Sequence, residues 1–163
     1  MDGTNLLILA AAVLIAAGMV LVWRPLRCAW REARFAEARR DFHRQRERLE
    51  AKFVQLGMIN AAQGGPHWGE CQFDDDVAYA RNRTTGELSA FVAVTIEVEQ
   101  DNAVGHGSGD AIGNLRAATA VFRFDGDHWD TDGRAIFNLT PTQAIDFYRR
   151  EFEMVGQEIA QRT

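Results

Sequence analysis

The chain has 163 residues, 47% of them hydrophobic and 25% charged, with a formal net charge of −5. That length leaves room for one domain beside a terminal segment, and the acidic balance excludes the basic footprint that nucleic-acid binding requires. The two cysteines, Cys28 and Cys71, are far apart in sequence, and a cytoplasmic location, expected below, disfavours a disulfide between them.

In chain order, residues 6–22 come first: an unbroken apolar run with no charge, no Pro and no polar side chain, closed by Trp23 and Arg24. A bilayer core of ~30 Å takes roughly 17–25 such residues, so the run reads as a transmembrane helix, a signal-anchor spanning residues 1–24. A buried core helix would carry a polar face, which the run lacks. A cleaved signal peptide would carry a basic leader, whereas Met1 to Asn5 holds Asp2 and no Lys or Arg; the apolar run also continues past Ala16-Ala17-Gly18. Trp23, Arg24, Arg27 and Arg31 are the expected membrane interface, in contact with lipid. With every early Arg after the run, the expectation is a single-pass protein with its C-terminal domain in the cytoplasm.

The second element is a basic juxtamembrane helix, residues 25–59. Between residues 24 and 48 there are nine Arg against Glu32, Glu37, Asp41 and Glu47, a net of +5. Lys52 is the only lysine, a bias toward Arg that suits a G+C-rich bacterial genome. Cys28, Phe35, Phe42, Leu49 and Leu56 recur every seven residues, and Phe35, Phe42, Leu49 and Leu56 are self-association candidates. The matching positions Arg31, Gln45 and Lys52 are polar. This favours a helix whose distal residues Leu49, Phe53 and Leu56 pack on the following sheet. Cys28 reads as a small hydrophobe or a juxtamembrane acylation site.

Residues 60–163 form an acidic α+β domain, with 17 acidic residues against eight Arg, a net of −9. The breakers Gly64-Gly65-Pro66 stop the helix. Strands are expected at 68–73, 77–82, 88–99, 116–124 and 129–139, the last interrupted at Asp132-Gly133. They give an antiparallel sheet of about four strands, with turns at 83–87 and at Asp125-Gly126. Thr140-Pro141-Thr142-Gln143 opens a helix through a capping box. Ile145, Tyr148, Phe152, Val155 and Ile159 then continue it as an amphipathic C-terminal helix, and the two helices are expected to pack on one face of the sheet.

The candidate chemistry is sparse. His67, Cys71 and one of Asp74, Asp75 and Asp76 suggest a metal site, but no paired CxxC or HxxxH element accompanies them. The Asp-rich run from Asp125 to Gly133 lacks the spacing of a calcium loop. Gly105-His106-Gly107-Ser108-Gly109 is neither a phosphate-binding loop nor a nucleophile elbow. No cofactor or catalytic residue is assigned and no metal expected, and the balance is against an enzyme.

Anchor, long helix and antiparallel sheet together resemble a pilin-type layout, without its basic leader and early Glu. A helix over a curved antiparallel sheet is similar to cystatin-like or NTF2-like folds, a resemblance that implies architecture alone. The expected function is that of a single-pass, membrane-anchored accessory or assembly module. Its head binds a protein partner or itself in a protein–protein interaction. The alternative is a head that binds or hydrolyses a small ligand in a pocket between sheet and helix. There the Gly-rich loop 100–114 is a lid, and His67, His106, His128 and Trp129 are the ligand-binding residues.

Overall fold

The computed structural model describes the backbone of residues 3–62, 67–99 and 115–160, and in the first 29 residues it describes the side chains of Met19 and Trp23 alone. Helix α1 spans Gly3–Ala62. The density of Ala, Arg, Glu and Gln after Pro25 favours it, since these side chains lose little freedom in a helix. The chain divides into two compact units, Met1–His43 and Arg44–Thr163. The first unit is helix from Gly3 onward. The second contains the end of α1 and the sheet.

The sheet has six antiparallel strands: β1 (His67–Asn82), β2 (Leu88–Glu99), β3 (Leu115–Phe124), β4 (Trp129–Asp130), β5 (Ala135–Phe137) and β6 (Phe152–Glu158). A short helix, α2 (Pro141–Phe147), precedes β6. The spatial order is β4, β3, β2, β1, β6, and β5 also pairs with β3. Strand β2 forms where Val, Ile and Thr alternate, and it pairs with β3 from Leu88↔Phe124 to Glu97↔Leu115. The β1–β2 turn is closed by Asn82, whose Oδ1 accepts from the amides of Thr84 at 2.8 Å and Thr85 at 3.0 Å, with Gly86 at φ +77°.

Side chains alternate across a strand, which sorts the core into two layers. On one face lie Val77, Tyr79, Ala90, Val92, Phe122 and the end of α1. There Phe53 is fully buried, its ring centroid 5.7 Å from Phe73, 5.4 Å from Trp68 and 6.0 Å from Phe122. On the other face, Ala78, Ala80, Phe91 and Val121 are covered by Ala144 and Ile145 of α2, with Ile136, Leu139 and Phe152 at the margin.

Four expectations are corrected. No helix among the described residues is long and apolar enough to cross a membrane. The expected transmembrane, single-pass signal-anchor is therefore not found among the described residues. Its residues 6–22 lie within α1, and their side chains, apart from Met19, lie outside the described residues. Second, the sheet has six strands rather than about four. The stretch 68–82 is one strand, whose Asp74-Asp75-Asp76 segment is a register shift between Phe73 and Val77 and not a break. Third, the amphipathic C-terminal helix ends at Phe147. Residues 152–158 pair instead with β1, from Asn82↔Phe152 to Val77↔Glu158. Gly156 costs about 1 kcal/mol in a helix interior, and β1 would otherwise lose a full row of ladder hydrogen bonds. Fourth, the two helices do not share a face: α2 packs opposite the end of α1.

Candidate functional site

Where α2 stops covering its face, the sheet is left with small side chains. Ala93 and Thr95 of β2 stand opposite Thr119 and Ala117 of β3, in the pairs Ala93↔Thr119 and Thr95↔Ala117. Gln72 of β1 lies across from Thr95. Together with Asp74, Val94, Ala118, Asn138, Leu139, Thr140 and Gln143 they line an open cleft of about 330 Å³.

Each wall has a local cause. On the β1 side, the register shift after Phe73 brings Asp74 to the rim, and such shifts re-aim side chains. Arg46 of α1 fixes this segment from the other side. Its guanidinium donates to the Asp74 carbonyl, lies 3.6 Å from the Asp75 carboxylate and also pairs with Glu50 at 2.6 Å. Asp76 is spent as well, since its Oδ1 accepts the Ala160 amide at 2.7 Å. On the α2 side, Asn138 sits at φ +61°, the left-handed region, which Asn tolerates better than most residues. Its amide donates to the Ala117 carbonyl at 2.9 Å. Thr119, fully buried, donates its hydroxyl to the Leu139 carbonyl at 2.7 Å. The capping box closes the wall: the Thr140 amide donates to Gln143 Oε1 at 3.0 Å, and the Gln143 amide to Thr140 Oγ1 at 3.4 Å.

A second hollow of about 190 Å³ lies on the far side of α2, between Asn82, Ser89, Arg123, Arg134, Tyr148 and Glu151. Its two arginines are already engaged. Arg123 pairs with Asp132, and Arg134 lies over the Tyr148 ring, 5.4 Å from its centroid.

The residues expected to bind a ligand are not brought together. His67 begins β1 opposite Glu99, while His128 lies in the turn beyond Phe124, which pairs with Leu88. The 12 residues of β2 separate these ends by about 36 Å at ~3.3 Å per residue. His128 Nδ1 is 3.0 Å from Asp125 Oδ2, and the Asp125 carboxyl is held below its usual range by the His128 and Asp127 amides that donate to it. Trp129 is buried, its ring 5.2 Å from that of Phe124. His106 and the loop 100–114 lie outside the described residues. Among the described residues no group of three His, Cys, Asp or Glu side chains is placed to hold a metal ion. Cys71 is half-buried, and burial, with Glu70 beside it, pushes its thiol up. That disfavours the nucleophilic thiolate.

Of the interface residues, Trp23 and Arg31 are exposed, and the side chains of Arg24 and Arg27 lie outside the described residues. Of the self-association candidates, Phe42 and Leu49 are buried and Phe35 and Leu56 half-buried. A Cβ added to Gly133 would lie 2.7 Å from Leu56 Cβ, so Leu56 is packed within its own unit. The cleft residues form no sequence motif. The one local signal within them is the capping box at Thr140 and Gln143. No protein-family model, characterised protein or solved structure matches this chain.

Proposed function

We propose that the second unit is the binding head of an accessory or assembly module, and that it takes a protein partner at the β6 edge of its sheet. One observation carries this. β6 pairs with β1 alone among the described strands, and two large apolar side chains on or next to it stay in solvent, Met154 at 44% and Ile159 at 69% exposure. An edge with unpaired backbone groups accepts an added strand, whose main chain supplies affinity and whose alternate side chains supply specificity. Glu153 and Glu158 lie within β6, beside Arg83 and Tyr79 respectively, and residues 60–163 carry a net charge of −9. The fitting partner segment is therefore extended, with basic and apolar side chains in alternation.

The test pairs sedimentation of the purified chain with affinity capture, comparing wild type with Met154→Lys and Ile159→Lys. Both positions are exposed, so folding is retained. The expected result is a partner captured by wild type and lost with either variant. A chain that self-associates through these residues would make the partner a second copy. A monomer whose captured proteins are unchanged by both substitutions would refute the proposal.

A further inference from the structure

We propose that the cleft between Asp74 and Asn138 is a binding site for a small, flat, uncharged molecule bearing a carboxamide. This is independent of the β6 edge. The volume of about 330 Å³ falls at the lower end of the range for small-molecule sites. The floor is level because its side chains are small: Ala93 and Ala117, with Leu139 beside them. A planar group lies against such a floor with few lost contacts, whereas a bulky one meets the rim.

The polar groups select the chemistry. The Asn138 side-chain amide and the Thr95 hydroxyl make no hydrogen bond among the described residues, and Gln143 spends only its Oε1, on the Thr140 amide. The cleft thus offers one complete amide, one free NH₂ group and one hydroxyl. A primary carboxamide carries an acceptor and a donor on one edge, the complement of the Asn138 amide in a paired, two-bond arrangement. Charge then excludes close relatives. Among the described residues no Arg, Lys or His lines the cleft, and the Asp74 carboxylate stands at its rim. A carboxylate of the same shape loses one donor and meets a like charge.

The probes are nicotinamide and its acid counterpart nicotinate, titrated into the isotope-labelled full chain and followed by amide chemical shifts. Saturable shifts confined to Thr95, Ala117, Asn138 and their neighbours are expected with nicotinamide, and at least about tenfold weaker binding with nicotinate, the size of one lost hydrogen bond. Ala117 is exposed, so Ala117→Leu fills the floor without disturbing the core and should abolish the shifts. Asn138→Asp keeps the left-handed backbone and should weaken nicotinamide by at least about tenfold. Equal response to both probes, no saturable response to either, or full binding by the Ala117→Leu protein would overturn the proposal.

Discussion

Lys52 and Asp130 show how a single pair of side chains acts within the second unit. The Lys52 ammonium donates to Asp130 Oδ1, joining the end of α1 to β4, with both side chains about half exposed. That hydrogen bond holds the Asp130 carboxyl below its ordinary range. Burial partly opposes it, and the Thr131 amide adds to it. A lowered carboxyl stabilises the fold above its unfolded value, about 3.9, and the contribution is lost as pH falls through the folded value. Exposure to solvent keeps it small, below about 1 kcal/mol at neutral pH. Lys52→Met should therefore lower stability to urea at neutral pH, and its difference from wild type should shrink toward pH 3. A difference that stays constant across that range would show that the carboxylate charge is not its origin.

Between elements, the end of α1 meets β1 where Gly57 faces Trp68. Gly57 is buried in the last turns of α1, and a Cβ there would overlap the Trp68 indole. By helix propensity alone Ala should be better than Gly by about 1 kcal/mol. Packing reverses the sign, because the obstacle is a ring held between Phe53 at 5.4 Å and Phe137 at 6.4 Å. Gly57→Ala should lower stability by about 1–3 kcal/mol, the usual cost of overpacking, measured by chemical denaturation. A more stable variant would mean that the Trp68 ring moves freely. Strand β2, both hairpin turns and the packing of Phe53 were legible because each rests on a local pattern: β-branched alternation, Asn82 and Gly86, Asp125-Gly126, and an apolar stripe. Strand β6 was not. Its residues Phe152 and Val155 keep helical spacing with Ile159 just beyond it, and what decides their state is the open edge of β1, some 70 residues earlier. The cleft escaped for a related reason. Gln72, Thr95, Ala117 and Asn138 come from four separate segments, and small or neutral polar residues leave no spacing to read.

Across the whole molecule, the two units differ in what holds them. The first, Met1–His43, is from Gly3 onward a run of one helix, whose backbone ladder joins residues four apart. The second, Arg44–Thr163, is tied by strand pairs between residues far apart in sequence, such as Tyr79↔Gly156. A segment of helix opens locally at low cost, while a sheet with its core opens only in large cooperative steps. Proteolysis at low enzyme concentration samples those openings. Trypsin cuts after Arg and Lys, and Arg31, Arg34, Arg39 and Arg40 are all exposed on the first unit's helix. Several arginines of the second unit lie in strands, Arg81 in β1 and Arg116 and Arg123 in β3. Limited digestion followed by intact-mass measurement should give early cuts between residues 31 and 40 and a persistent fragment that retains residues 44–160. Cuts at Arg81, Arg116 or Arg123 appearing first would place the weakest part of the chain in the sheet, and the division of stability argued from local against long-range pairing would be reversed.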